Sequence, residues 1–261
     1  MSESLDIGRS HCGGHSATVG AWRNRADAED LKSSVRKDVQ VRVLPPLPPL
    51  PVQISLDPAQ FSAYAYLLGV YLGDGHITHY PRTFRIEIYL NAKETRVIRQ
   101  TVEAIQTVMP HRRVGFRYRP AVIVVNSYSQ QWPRLFPQHG SGRKHRRPIV
   151  LEPWQHAILE RHPPAFIRGC LDSDGCRHRR IVNGRNDPAY SFCNSSEDIL
   201  GLFTTACDLI GLRWRRANHE TISIARRSDV ARLDQLFATA DAGHTSVAIP
   251  SSLTNTSTPG A

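Results

Sequence analysis

Two stretches of the sequence match: Leu67-Leu68-Gly69-Val70-Tyr71-Leu72-Gly73-Asp74-Gly75 and Ile167-Arg168-Gly169-Cys170-Leu171-Asp172-Ser173-Asp174-Gly175. Each is an apolar run with a glycine at its centre, and each ends in Asp-Gly. The two aspartates lie 100 positions apart, which is enough chain for one compact α/β unit. An internal repeat of this kind predicts two similar domains related by a pseudo-twofold axis. One carboxylate from each domain would then meet its counterpart in the middle.

Small residues recur four positions apart in both stretches: Gly69 and Gly73, then Gly169 and Ser173. Residues i and i+4 share one face of a helix. Each stretch, as a helix, therefore presents a face on which a second backbone can approach closely. Two such helices packed together would place Asp74 and Asp174 side by side at their C-terminal ends.

A pair of carboxylates at two helix C-termini is electrostatically unfavourable in isolation. Each terminus already carries about −0.5 charge, and the two carboxylates repel one another. A bound divalent cation reverses the sign of this effect, and carboxylates with a backbone carbonyl and waters are ligands that suit Mg²⁺. Such an ion can activate a water and stabilise the leaving oxygen of a phosphodiester. The alternative is that each Asp-Gly only stops a helix, but the duplication favours a metal site.

The composition points to a nucleic-acid partner. The chain has 261 residues, 40% of them hydrophobic, and a formal net charge of +10. This is enough for one or two domains with a buried core, and the charge implies a polyanionic partner. The positive residues are clustered, and arginine, which suits phosphate and guanine, dominates the clusters. They lie at 112–119, 143–147, 177–180, 213–216 and 226–227.

The cysteines and the hydropathy of the chain argue against a disulfide-bonded, zinc-binding, secreted or membrane protein. The five cysteines include no C-x-x-C pair, which argues against a disulfide framework and a structural zinc site. No apolar run approaches the ~18–20 residues of a membrane span, and no signal-peptide core opens the chain. The expectation is a cytoplasmic protein without a membrane partner.

Both ends of the chain are predicted to be disordered extensions. Residues 1–55 lack apolar periodicity and contain the run Pro45-Pro46-Leu47-Pro48-Pro49-Leu50-Pro51. Gln40-Val41-Arg42-Val43-Leu44 is what CAG-GTT-CGA-GTC-CTG encodes, and GGTTCGAGTCC is the T-arm of a transfer-RNA gene. We hypothesise that this region is a tRNA gene translated as protein. Residues 239–261, rich in Ser, Thr, Ala, Gly and Pro, form the second extension.

Between the extensions, hydrophobic periodicity predicts the order αββαββα twice, an α+β fold. In the first repeat, residues 56–137, we predict helices over 59–73 and 93–109, strands from His76 and over 83–90, 114–118 and 122–126, and a short helix ending near Phe136. In the second repeat, residues 162–238, we predict helices over 163–173, 197–211 and 229–237 and strands over 176–182, 190–193, 212–216 and 221–225. Residues 138–161 join the repeats as a basic linker with a short helix.

Both quoted stretches resemble the signature of the LAGLIDADG homing endonucleases in their single-chain, two-repeat form. The resemblance covers about residues 56–237. It implies two pseudo-symmetric repeats whose four-stranded antiparallel sheets form a DNA-binding saddle over the major groove. It also implies Mg²⁺ (or Mn²⁺) held by Asp74 and Asp174, with the backbone carbonyls of Gly73 and Ser173 facing the metal.

The resemblance further assigns residues around the metal. Leu72 departs from the family pattern, where an aspartate is usual and Asp172 keeps it; this position packs or caps. The family places a polar or basic residue near each metal to position water. Asn91 and Asn194, just before each middle helix, are candidates, although N-capping explains both equally well. Arg227, after the final strand, is a candidate for charge stabilisation.

Outward-facing residues of the predicted strands would contact the DNA. Arginine reads guanine edges or grips phosphate, and a solvated charged face is the alternative for any single residue. The candidates are Arg85, Glu87, Tyr89, Arg117, Arg119, Arg177, Arg179, Arg213 and Arg215.

The sequence therefore predicts a monomeric, Mg²⁺-dependent, site-specific double-strand DNA endonuclease, free-standing or intron-encoded. Two alternatives stay open: a DNA-binding transcriptional regulator on the same fold that lacks cleavage, and an intron RNA-splicing maturase. The aspartate pair favours the enzyme over the regulator, because a pure binder gains little from adjacent carboxylates facing DNA.

Overall fold

The structure, a computed structural model, describes residues 56–182 and 184–242. The predicted extension over 1–55, with its tRNA-gene hypothesis, and the tail from residue 243 onward lie outside the described residues. Among the helices in the described part of the chain, none is both long and apolar enough to cross a membrane.

The first repeat has the predicted order of helices and strands. Its elements are a 3₁₀ helix (Pro58–Gln60), α1 (Phe61–Asp74), β1 (Gly75–Tyr80), β2 (Thr83–Asn91), α2 (Thr95–Val108), β3 (Val114–Arg119), β4 (Val122–Tyr128) and α3 (Trp132–Leu135). The strands form one antiparallel sheet in the order β1-β2-β4-β3.

The second repeat has the same order after a linking segment. The segment and the repeat contain a 3₁₀ helix (Lys144–Arg146), α4 (Pro153–Arg161), α5 (Pro163–Asp174), β5 (Gly175–Val182), β6 (Arg185–Cys193), α6 (Glu197–Leu209), β7 (Arg215–Asn218), β8 (Thr221–Ile224) and α7 (Arg227–Ala242). The second antiparallel sheet has the order β5-β6-β8-β7. The predicted α+β fold with the order αββαββα in each of two repeats is confirmed.

One face of each sheet is apolar and packs against the helices. In β2, Ile86, Ile88 and Leu90 are buried, and in β8 Ile222 and Ile224 are buried. Side chains alternate along a strand, so the intervening residues form the outer face of each sheet. Helix α1 is apolar on nearly all sides and lies in the centre of the core, with ten of its 14 residues buried.

Helices α1 and α5 pack through their glycines, as the small-residue spacing predicted. A methyl group on Gly69 would lie 2.6 Å from the carbonyl oxygen of Phe166 and 2.7 Å from the amide nitrogen of Cys170. A methyl group on Gly169 would collide with the carbonyl oxygen of Tyr66. Cβ atoms in proteins essentially never come within 3.0 Å of such atoms. The backbones of α1 and α5 are therefore so close that neither Gly69 nor Gly169 has room for a Cβ atom.

Strand β6 begins at Arg185, five residues earlier than the predicted strand over 190–193, and contains Pro188. Pro188 pairs with Arg179 of β5. Strand β8 pairs with β6 only from Tyr190 onward, so at Pro188 strand β6 has a neighbour on one side only. A residue without an N–H is tolerated at such an edge position.

Helix α7 is longer than predicted and includes the first residues of the predicted tail. It runs to Ala242, so the prediction of disorder is wrong for residues 239–242. Arg168 Nη2 and Gln100 Nε2 each donate a hydrogen bond of 2.5 Å to Asp241 Oδ1. This last turn is held against α5 and α2 by polar contacts. Because these contacts involve no apolar side chains, the sequence here lacks the apolar periodicity that would have predicted a helix.

Candidate metal centre and nucleic-acid interface

Helices α1 and α5 each end at an aspartate, and their packing brings the two ends together. A methyl group on Gly73 would lie 2.6 Å from Ser173 Cβ and 2.8 Å from Asp174 Oδ2. Asp74 is close enough to Asp174 that the charge of Asp174 raises the pKa of Asp74. The structure therefore brings together the two carboxylates that the sequence predicted would meet.

Both carboxyl groups are in an environment that disfavours their negative charge. Burial is the main cause that raises the pKa of Asp74 and of Asp174. A hydrogen bond of 2.8 Å from Asn194 Nδ2 to Asp174 Oδ2 partly opposes this for Asp174. Because two helix C-termini add negative potential at the same place, the cleft between the aspartates favours a cation.

The oxygen donors at this cleft fit a hard divalent cation. Two carboxylates and the carbonyl of Gly73 lie at the helix ends, and waters complete such a donor set for Mg²⁺ or Mn²⁺. Within residues 56–182 and 184–242 there is no group of three or more His, Cys, Asp or Glu side chains that could hold a metal ion. A cation here would therefore rely on two carboxylates with backbone and water oxygens. Ser173 Oγ donates to the carbonyl of Cys170 at 3.0 Å, which closes the last turn of α5.

A third charged group, the ammonium of Lys144, lies at the same cleft, although no sequence pattern placed it there. Its Nζ donates to the carbonyl oxygens of Leu72 and Gly73, both at 3.0 Å, and to that of Tyr71. The ammonium also lies 4.9 Å from the centroid of the Tyr71 ring. Burial lowers the pKa of Lys144 to about 8, against the opposing attraction of the two aspartates.

The only sequence signal for Lys144 is its residue type. The basic cluster 143–147 contains one lysine among arginines and a histidine. A compact ammonium with three donors fits a set of helix C-terminal carbonyls better than a planar guanidinium does. Where the linker would place this lysine is not encoded in any local pattern.

The two asparagines that were candidates for water positioning differ in their contacts. Asn194 bonds Asp174 and also accepts from the backbone N of Ser196 at 2.9 Å. Asn91 Oδ1 accepts from the backbone N of Lys93 at 3.0 Å. Among the described residues no hydrogen bond joins Asn91 to Asp74. Neither asparagine is an N-cap, because the N-cap residue of α2 is Glu94 and that of α6 is Ser196. The capping interpretation is therefore wrong for both, and Asn194 has a contact with an aspartate, as water positioning would need.

Arg227 lies away from the aspartates, contrary to the sequence expectation. It begins α7, and its Nε donates to Asp187 Oδ1 at 2.7 Å. Asp187 pairs with Arg180, five residues along β5 from Gly175, which is about 16 Å at 3.3 Å per residue. The predicted charge-stabilising role of Arg227 at the metal site is therefore wrong, because Asp187 holds the guanidinium at the far end of the sheet.

The position two residues before each aspartate is used for packing, as expected. Leu72 is buried in the core. Asp172 accepts from Arg96 Nη2 at 2.6 Å and from Tyr66 Oη at 3.1 Å. It thereby ties α5 to both α1 and α2, so its carboxylate is already engaged away from the cleft.

The outer face of the first sheet carries arginines gathered around Glu87. Glu87 is 2% exposed, and it accepts from Thr78 Oγ1 at 2.7 Å and from Arg85 Nη2 at 3.0 Å. Arg117 reaches across β4 and donates to the other carboxylate oxygen. Glu87 was predicted to contact DNA itself, and its burial contradicts this. It orients two predicted DNA-contacting arginines instead.

Aromatic rings support the same face. The guanidinium of Arg85 lies 4.7 Å from the centroid of the Tyr80 ring, and its Nη1 donates to Tyr128 Oη at 3.1 Å. The guanidinium of Arg119 lies 5.8 Å from the centroid of the Tyr89 ring. Cation–π contacts of this kind restrict an arginine without neutralising it. Arg85, Tyr89 and Arg119 are thus on the outer face, as predicted.

The register of the second sheet places Arg177 on the helix side. Arg177 pairs with Tyr190, a core residue, and its Nε and Nη2 donate to Asp234 of α7 at 2.9 and 2.8 Å. Side chains alternate along a strand, so Arg179 is on the same side. The predicted outward placement of Arg177 and Arg179 is wrong by one residue.

Other basic residues take the outer face of the second sheet. Alternation places His178 and Arg180 there. Arg215 pairs with Ser223, between the buried residues of β8, and so faces outward as predicted. Arg213 was predicted on this strand, but it precedes β7, and its backbone N donates to Asp229 Oδ2 at 3.1 Å.

We expect the Asp74→Asn variant to be more stable than the wild type in metal-free buffer at pH 7. The pKa of Asp74 is raised above its ordinary value of 3.8, so its ionisation lowers the free energy of unfolding as the pH rises through the raised value. The asparagine side chain does not ionise, so the variant keeps the free energy of unfolding that the wild type loses. Thermal unfolding with a chelator should show a Tm higher by about 2–4 °C, the shift for about 1 kcal/mol in a domain of this size.

The matched control has the opposite sign. Arg177 lowers the pKa of Asp234, so this group stabilises the fold above its ordinary pKa and loses that contribution as the pH falls. Asp234→Asn should therefore lower Tm at pH 7, and the gain from Asp74→Asn should shrink toward pH 4. A Tm of Asp74→Asn below that of the wild type at pH 7 would contradict the unfavourable charge.

Solved structures that resemble this chain include LAGLIDADG proteins, whereas no family model and no curated protein matches its sequence. The homing endonuclease I-DmoI in complex with DNA and Mn is 15% identical, with a TM-score of 0.46 over 71% of this chain and 99% of that chain. The LAGLIDADG meganuclease I-AabMI bound to uncleaved DNA is 11% identical, with a TM-score of 0.43 over 67% and 83%. The N-terminal LAGLIDADG domain of DUF199/WhiA is 15% identical, with a TM-score of 0.43 over 68% and 81%. At these identities the likeness is one of fold.

Proposed function

We propose that this protein is a monomeric, site-specific double-strand DNA endonuclease that uses Mg²⁺ or Mn²⁺. The observation that carries the proposal is the convergence of Asp74 and Asp174 at the ends of two packed helices. Each repeat contributes one carboxylate. A duplex target has local twofold symmetry that matches a twofold-related pair of domains, so each carboxylate serves one strand.

The residues at the cleft have different proposed roles in metal binding and orientation. Asp74, Asp174 and the carbonyl of Gly73 would hold the cation, which supplies an activated water and stabilises the leaving oxygen when bound. Asn194 fixes the orientation of the Asp174 carboxylate through its 2.8 Å hydrogen bond. The close packing of α1 and α5 sets the separation of the two carboxylates.

The outer faces of the two sheets form the proposed DNA interface. On the first sheet, Arg85 is held in place by Glu87, Tyr80 and Tyr128. Arg119 is held in place by Tyr89. Guanidinium groups that are already ordered lose less conformational entropy on binding a phosphate or a guanine edge. The proposed contact residues are Arg85, Arg117, Arg119, His178, Arg180 and Arg215.

One observation favours a second candidate, a DNA-binding regulator without cleavage. Lys144 supplies a positive charge to the cleft without any metal ion. Adjacent carboxylates are therefore compatible with a pure binder, since an internal cation can offset part of their repulsion. An RNA-splicing maturase would bind structured intron RNA more tightly than duplex DNA under the same conditions.

Selection from a random duplex library tests the proposed function. The full chain is incubated with the library in Mg²⁺, and the cleaved fragments are captured and sequenced, with a parallel reaction in chelator. A recurring cleaved site that requires Mg²⁺ supports the endonuclease. Recovery of a bound but uncut site supports the regulator.

DNA affinity should fall steeply with salt concentration. A protein that neutralises six to ten phosphates loses about 10³–10⁵ in affinity between 50 and 200 mM salt, and both outer faces carry several arginines. Fluorescence anisotropy with a labelled duplex at several salt concentrations measures the slope. A response that stays flat over this range would argue against phosphate contacts across both sheets.

A further inference from the structure

The carbonyl oxygen of Gly73 has two prospective partners. It is one of the proposed ligands of the divalent ion, and in this structure it accepts a hydrogen bond of 3.0 Å from Lys144 Nζ. The same ammonium also bonds the carbonyls of Tyr71 and Leu72. It therefore caps the C-terminal turn of α1, where the free carbonyls and the helix dipole concentrate negative potential.

We propose that Lys144 is a tethered cation that competes with the divalent metal ion for the cleft between Asp74 and Asp174. A metal ion bound to the oxygen of Gly73 would lie within a few ångströms of the ammonium that bonds the same oxygen, and two cations so close repel each other. Metal binding therefore requires Lys144 to withdraw from the end of α1. This inference rests on the proposed metal use of the site and adds a switch to it.

The location of Lys144 suits a group that can withdraw. It belongs to a one-turn 3₁₀ helix, Lys144–Arg146, in which no residue is buried as a whole and only the end of the Lys144 side chain is enclosed. Its neighbours Arg143 and Arg146 are exposed. Only the side chain of Lys144 is inserted at the cleft, and its withdrawal breaks three hydrogen bonds and the cation–π contact with Tyr71.

Metal affinity of the DNA-free protein is the first test. Lys144→Met keeps an unbranched stem but removes the charge and the donors. Mn²⁺ titration followed by electron paramagnetic resonance should show binding about tenfold tighter or more in this variant, because a unit charge within a few ångströms of the ion is removed. Arg146→Met removes the same charge from the same 3₁₀ helix at an exposed position and should change the affinity by less than about twofold.

Chemical labelling of the wild-type chain is the second test and needs no variant. Reductive methylation with mass spectrometry compares Lys144 with Lys93, an exposed lysine in the same protein. Lys144 should react more slowly than Lys93 without metal, and Mn²⁺ should bring its rate toward that of Lys93. Circular dichroism of each variant confirms that the fold is retained.

The outcomes separate this inference from the proposed function. If the wild type binds Mn²⁺ and Lys144→Met binds it no more tightly than Arg146→Met, the competition is overturned while the metal site stands. If Mn²⁺ leaves the labelling of Lys144 unchanged although it binds, the competition is overturned as well. If only Lys144→Met binds Mn²⁺, the lysine is shown to block the site. If neither protein binds Mn²⁺ at millimolar concentration, the metal site fails and the competition fails with it.

Discussion

Replacing Asp74 or Asp174 by asparagine should abolish double-strand cleavage while DNA binding is retained. The amide has the shape of the carboxylate but not its charge, so it holds a divalent cation in the cleft much more weakly. The rate should fall by about 10²–10³-fold or more, the scale on which a single electrostatic catalytic group acts. Binding should be unchanged or slightly tighter, because the outer-face arginines are untouched and one negative charge near the phosphates is lost.

Cleavage of a selected site and a binding isotherm on the same duplex measure the two effects. Asp208→Asn is the matched control, since Asp208 lies exposed on α6 and accepts from Trp214 Nε1, which an amide oxygen also does. It should cut like the wild type. A double variant of Asp74 and Asp174 that still cuts both strands would refute the assignment of the metal site.

The second large effect concerns the glycines between α1 and α5. Gly69→Ala and Gly169→Ala should each destabilise the protein by about 1–3 kcal/mol, the usual cost of overpacking a tight contact. The added methyl group meets backbone atoms, at 2.6 Å from Phe166 O in the case of Gly69. Backbone cannot rotate away as a side chain can, so the two helices must move apart.

The control is the same substitution at another helical glycine. Gly201 lies in α6, and a methyl group built there meets nothing within 4 Å. Gly201→Ala should therefore stabilise the protein by about 0.5–1 kcal/mol through helix propensity alone. Urea unfolding of the three variants gives the free energies. Equal effects at positions 69, 169 and 201 would show that helix propensity, and not close packing, decides the outcome.

The repeat and its aspartates were predictable from the sequence because they depend on local periodicity that occurs twice. The spacing of Gly69 and Gly73 defines a helix face, and its recurrence at Gly169 and Ser173 defines the partner. The order of helices and strands follows from apolar alternation in the same way. Because the pattern occurs twice, the helices and strands predicted in one repeat support those predicted in the other.

The remaining features depend on contacts that the local pattern does not contain. Lys144 bonds Gly73, 71 positions earlier, and nothing in the basic linker indicates that contact. Arg177 occupies the place in β5 that the buried Ile77 occupies in β1. Strand β5 therefore lacks the apolar residue that would have shown which face packs against the helices. For this reason Arg177 and Arg179 were predicted on the outer face, which His178 and Arg180 occupy.

The buried carboxylate of Glu87 has a consequence for how a target preference can change. Two guanidinium groups share this one acceptor, so moving or removing it would release both together. The effects of substitutions at Glu87, Arg85 and Arg117 are therefore expected to be non-additive. In the proposed DNA interface Arg85 and Arg117 would then contribute jointly, and not independently, to the preference for a target, so redesign of this surface would have to replace Glu87 and both arginines together.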